Sequence, residues 1–120
     1  MRLSEELGDR TKRYASAIIR LYAILPASRK EIQVLGHQLL QSGTSVAAHA
    51  REASRVRSDA EFCSKLDGAL QEADESQRWL ELLYDDCGIA TKQVRELLAE
   101  TNELIAIMAT VIAKTKRRAA

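Results

Sequence analysis

The sequence is poor in everything that breaks a helix. It holds one proline and five glycines in 120 residues, so its elements must be long. Aromatics are scarce, five in all, and Val and Ile together number 13 against 18 Ala and 15 Leu. That balance withholds the β-branched and aromatic residues of a sheet and supplies strong helix formers. Two cysteines, Cys63 and Cys87, are too few for a disulfide framework and lack the Cys-x-x-Cys spacing of a metal or redox motif. No apolar run approaches the roughly 18 residues of a membrane span, and the longest candidate, Leu104 to Ala113, contains Thr110. The start, Met1-Arg2-Leu3-Ser4-Glu5-Glu6, carries acids and no apolar stretch, so no signal peptide is expected. Nor does one charge dominate: 18 Lys+Arg face 17 Asp+Glu, which gives no global nucleic-acid signature. The expectation is a cytoplasmic, all-α protein with one domain, residues 1–120, around one core.

What is present is four amphipathic stripes. Leu3, Leu7, Tyr14, Ile18, Leu21 and Leu25 recur at helical spacing. Pro26 ends that run, because the residue before a proline is pushed out of the helical region. Ser28-Arg29-Lys30-Glu31 reads as a capping box, followed by Ile32, Leu35, Leu39, Gly43, Val46, Ala50 and Ala53. The second half of this stripe has little bulk (Gly43, Ala47, Ala48, Ala50), so another helix can approach closely there. Ser58-Asp59-Ala60-Glu61 reads as a second capping box. Phe62, Leu66, Ala69, Ala73, Ser76, Leu80, Leu83 and Cys87 then alternate spacings of four and three, a heptad seam. Gly88 sits where a left-handed helix end belongs, and Thr91 is placed to cap a fourth helix. Val94, Leu97/Leu98, Thr101, Leu104/Ile105, Met108 and Val111/Ile112 continue the pattern. Short connections make successive helices antiparallel, which predicts an up-down-up-down four-helix bundle.

Charge is balanced in sum but not in distribution. The segments ending at Pro26, Arg57, Gly88 and the last residue carry +2, +3, −7 and +3. The third helix is thus an acidic rod among basic neighbours. It is either a solvated face or half of a contact between subunits.

Several constellations bear on function. Ser42, Ser45, His49 and Glu52 fall on one strip of the second helix, and Lys65, Glu72, Glu75 and Trp79 lie on the third. In a hairpin these can form one polar seam, with Lys65 within pairing reach of Glu52, Glu72 or Glu75, and with no metal. A di-metal carboxylate site needs two Glu-x-x-His motifs. Here the order is reversed, His49-x-x-Glu52, and Val34 stands three residues before His37. Glu72-x-x-Glu75 matches the first acidic pair of an all-helical magnesium pyrophosphatase, but no second pair completes it. No nucleophile elbow or Gly-rich phosphate loop is present, so no enzyme, cofactor or small-molecule substrate is expected. The basic end, Lys114, Lys116, Arg117 and Arg118, is a candidate nucleic-acid contact, with Arg10, Lys12 and Arg13 as possible neighbours. Aromatic interleaving for base stacking is missing, so such contact would be to phosphates. The same cations also suit a helix C-terminus.

Three segments carry a resemblance. Gln38-Leu39-Leu40-Gln41-Ser42-Gly43-Thr44-Ser45-Val46-Ala47-Ala48-His49-Ala50-Arg51-Glu52-Ala53 is the longest. Asp59-Ala60-Glu61-Phe62-Cys63-Ser64-Lys65-Leu66 is the second. The third is Ala69-Leu70-Gln71-Glu72-Ala73-Asp74-Glu75 with Trp79-Leu80-Glu81-Leu82-Leu83. Together with Leu25-Pro26 and Glu100-x-x-Glu103-Leu104, the sequence resembles the bundle proteins encoded in intervening sequences of bacterial 23S rRNA genes. The resemblance implies a cytosolic, ring-like homopentamer. It also implies a fold similar to the accessory protein of diversity-generating retroelements, which is implicated in binding nucleic acid and reverse transcriptase. It marks Ser42, Ser45, Glu52, Lys65, Glu72, Glu75 and Trp79, and it departs at His49, where the family usually has Asn. The reading is a non-enzymatic oligomer that interacts with RNA, DNA or a nucleic-acid-processing partner. The alternative is a purely structural or protein-interaction module.

Overall fold

Helix boundaries fall where the punctuation lies. The computed structural model describes the backbone of residues 2–119 and the side chains of residues 5–119. It contains α1 (Arg2–Ile24), α2 (Lys30–Ala53), α3 (Asp59–Asp85) and α4 (Lys92–Ala119), with no strand among the described residues. Ser58 caps α3: its side chain accepts from the Glu61 amide at 3.1 Å. Thr91 caps α4 by accepting from the Val94 amide at 3.2 Å. Gly88 ends the α3 turn with φ +75°, a conformation in which a Cβ would be strained.

The first capping box does not form. The turn after Pro26 absorbs Ser28, and the N-cap is Arg29, which makes no side-chain cap bond. Its guanidinium instead donates to the Cys87 carbonyl at 2.9 Å, satisfying an acceptor at the end of α3. Gln33 secures the same turn by donating to the Pro26 carbonyl at 2.8 Å.

Contacts between neighbouring helices run in opposite chain order. Ser42 meets Ser76 and Glu52 meets Lys65, while Gln77 meets Asn102 and Asp59 meets Arg118. The bundle is therefore up-down-up-down. Each helix packs on its chain neighbours, and α4 returns to α1. α1 and α3 are diagonal, as are α2 and α4. The α2–α3 interface is the broadest and the α1–α4 interface the thinnest.

The seven heptad positions within α3 are buried, and so is the eighth, Cys87, just past its end. So are Leu7, Tyr14, Ile18, Leu21 and Leu25 of the first stripe, while Leu3 lies outside the described side chains. Close approach of α1 to α2 depends on two glycines. A Cβ at Gly43 would stand 2.9 Å from Ile18 Cγ1, and one at Gly36 would stand 2.7 Å from Leu25 Cδ1. Ala47 and Ala48 do not share this contact: with Gly8 they line an open groove on the α1–α2 side.

Candidate functional site

Thr11 of α1 is buried and bonds only within its own helix, donating to the Leu7 carbonyl at 2.9 Å, but near mid-bundle four other buried hydroxyls, one from each helix, pair across helices. They are Tyr14 of α1, Ser42 of α2, Ser76 of α3 and Thr101 of α4. Thr101 donates to the Leu97 carbonyl at 2.6 Å, so the 2.7 Å bond between Tyr14 and Thr101 takes its proton from the phenol. Ser76 donates to the Glu72 carbonyl at 2.9 Å, a shorter contact than the 3.4 Å from Ser42 to the Leu39 carbonyl, so Ser42 donates to Ser76 at 2.7 Å. Every hydroxyl thus has a partner, as burial demands. Burial pushes the Tyr14 phenol up to about 12, although the polar Thr101 and Ser76 side chains beside it oppose the shift.

Sequence reasoning placed Ser42 in the polar seam but left Tyr14, Ser76 and Thr101 in the apolar stripes. The signal was present. Ser76 and Thr101 lie equally far from the turn at residues 88 and 89, so an antiparallel hairpin brings them to one level.

The expected seam is a strip along α2 and α3, and Ser42 leaves it for the core. Lys65 pairs with Glu52 at 3.2 Å, with the two side chains 47% and 53% exposed. One turn away, His49 Nδ1 lies 3.0 Å from the Ser45 carbonyl. A carbonyl only accepts, so Nδ1 carries the hydrogen. The imidazole lies against Gly68, where a Cβ would come within 3.1 Å of its Cδ2. Glu72 is partly buried. Burial and the neighbouring Glu75 raise its carboxyl above the usual range, and His49 pulls it back. Glu75 is exposed and Trp79 half-buried, flanking a shallow depression on α3 with Asp74, Arg78 and Glu81. Among the described residues, no three His, Cys, Asp or Glu side chains converge as a metal site requires.

The cations separate into two groups. Lys114, Lys116, Arg117 and Arg118 are all exposed at the end of α4. Arg118 lies 3.4 Å from Asp59 at the start of α3. That contact places the tail beside the α2–α3 turn, which carries the exposed Arg55 and Arg57. Sequence reasoning did not single out these arginines, and only the tertiary arrangement puts them next to the tail.

Arg10, Lys12 and Arg13 do not join them. Arg10 forks onto Glu100, donating at 2.8 and 2.7 Å, and reaches Glu103 at 3.3 Å. Glu100 precedes Lys116 by roughly 24 Å along α4, at 1.5 Å per residue. Arg13 lines the α1–α4 groove with Arg20, Glu96 and Glu100, whereas Lys12 lines the α1–α2 groove.

Residues 6–110 match the family model of the 23S rRNA-intervening sequence protein. The chain is also similar to a solved structure from Bacteroides thetaiotaomicron VPI-5482, described as a protein with unknown function from the S23 ribosomal protein family. The two share 34% identity and a TM-score of 0.80, with 88% of this chain and 97% of that one covered. No curated protein matches the chain.

Proposed function

The chain belongs to the 23S rRNA-intervening sequence protein family, and from that premise we propose a non-enzymatic, ring-like homo-oligomer that binds RNA or DNA, or a partner that processes them. The observation that carries this reading is the cationic end of α4. Lys114, Lys116 and Arg117 are exposed and form no ion pair among the described residues, and Arg118 has only the exposed Asp59. Such a surface reads phosphates and not bases. Five subunits are favoured by the family resemblance, and a ring would gather several weak tails into one strong contact. The likeness to the retroelement accessory protein is part of the same proposal, as is a cytoplasmic location. No cofactor, metal, membrane or small-molecule substrate enters it.

The test is a salt titration of RNA and DNA binding. One tail touching four phosphates gives a log–log slope of roughly −3.6 on duplex and somewhat less on single strands, and a ring that engages several tails gives a steeper one. Replacing Lys114, Lys116, Arg117 and Arg118 together by Ala abolishes binding on this reading. If the wild type fails to bind in dilute buffer, the protein-interaction module takes its place. The exposed acids of α3 favour that second reading.

A further inference from the structure

Charges without partners are not spread evenly round the bundle. On α1, Lys12, Arg13 and Arg20 are exposed, and none forms an ion pair among the described residues. Ile19, 50% exposed, stands among them. On α3, Asp67, Asp74 and Glu75 are exposed and likewise lack ion pairs, Asp67 only accepting from Gln71. Cations border them without pairing: Arg78, beside Asp74 and Glu75, is engaged by Glu81 at 3.3 Å, and Lys116 shares a groove with Asp67. Acids border the α1 cations without pairing with them: Glu96 and Glu100 share the α1–α4 groove with Arg13 and Arg20 but are taken by Lys92 and Arg10, and Asp9 shares the α1–α2 groove with Lys12, Arg51 and Arg55.

Because α1 and α3 are diagonal, these outer faces look in opposite directions. Their charges also match in spacing. Lys12 and Arg13 precede Arg20, and Asp67 precedes Asp74 and Glu75, by seven or eight residues in each case. That is two helical turns, about 11–12 Å.

We propose that the two faces are halves of one contact between copies of this chain, α3 of one copy lying against α1 of the next. The inference rests on the self-assembly reading above and names its surfaces. A two-fold dimer cannot satisfy both faces at once, since they point apart. The contact is therefore head-to-tail, and it closes a ring where the rotation allows. Ile19, beside Arg20, supplies exposed apolar area on the α1 face. The charges set register and orientation, so assembly weakens as salt rises.

Two triple variants test this by sedimentation in dilute buffer, with helical circular dichroism as the control for folding. One carries Lys12→Glu, Arg13→Glu and Arg20→Glu; the other carries Asp67→Lys, Asp74→Lys and Glu75→Lys. Each alone is expected to be monomeric. Their equimolar mixture is expected to associate well above the monomer mass, in alternating dimers, open chains or even-numbered rings. The altered faces match each other and the unaltered faces match as before, whereas an odd ring cannot close from alternating copies. A variant that keeps the wild-type mass, or a mixture that stays monomeric, overturns the inference while wild-type assembly stands. A wild type that is monomeric at high micromolar concentration overturns the self-assembly reading as well. Should a triple variant lose its helical signal, Arg20→Glu and Asp74→Lys are paired in the same way. Each is then expected to weaken assembly about ten-fold, and an unchanged mass for both overturns the proposal.

Discussion

Tyr14 links a buried bond to a pH dependence. In the unfolded chain its phenol ionises near pH 10, whereas the fold holds it neutral until about 12. The stability this adds is complete below pH 10 and is lost as pH rises through 12. Tyr14→Phe removes one buried hydrogen bond and is expected to cost about 1 kcal/mol at neutral pH. Urea unfolding at successive pH values checks the second consequence: the advantage of wild type over the variant shrinks between pH 10 and 12. Lys65 and Glu52 give the opposite lesson. Their pairing was legible from the hairpin, but their exposure was not. With both side chains near half exposed, a double-mutant cycle is expected to return about 0.2–1 kcal/mol, falling further in high salt. A buried pair would return several times more.

At the scale of the helices, glycines separate packing from propensity. Gly43→Ala gains helix propensity but drives a methyl to 2.9 Å from Ile18, a fully buried β-branched side chain with little freedom to yield. The expected net effect is destabilisation by about 1–3 kcal/mol, the usual range for an overpacked core. Gly8→Ala meets nothing within 4 Å, so the same substitution is expected to stabilise by about 0.5–1 kcal/mol. Thermal unfolding of the two variants reads the contrast directly. Caps show the limits of pattern at this scale. Ser58 and Thr91 act as their sequence suggests, but Ser28 does not. Pro26 requires a turn, and that turn uses the residues that would have formed the box.

For the whole molecule, the uneven packing sets the order of opening. α1 touches α4 thinly, whereas α2 and α3 share the broadest interface. The bidentate Arg10–Glu100 fork, each side chain about 30% exposed, fastens the outside of that thin seam, as the buried Tyr14–Thr101 bond does its inside. Hydrogen exchange is expected to be fastest in α1 and slowest in the α2–α3 hairpin. Arg10→Ala is expected to speed exchange in α1 more than in α3, and uniform acceleration would show that the fork does not hold α1 in particular. The tail belongs to this scale too. Its four cations fall within five residues of sequence, but Arg55 and Arg57 join them only because an antiparallel bundle returns α4 to the α2–α3 turn.

Sequence alone determined the helix count, the antiparallel order and nearly every buried position. Apolar periodicity and turn chemistry are local, and each stripe has one way to bury itself. The strip residues were legible for the same reason, since hairpin register follows from the position of the turn. Tertiary structure decided what depends on distances between elements. It set Ser42 against Ser76 in the core and gave Arg10 to Glu100 instead of the tail. It left Lys65 and Glu52 in solvent, and it turned the basic face of α1 and the acidic face of α3 in opposite directions. Periodicity places a residue on a helix face, but exposure and charge partners depend on the neighbour packed against that face.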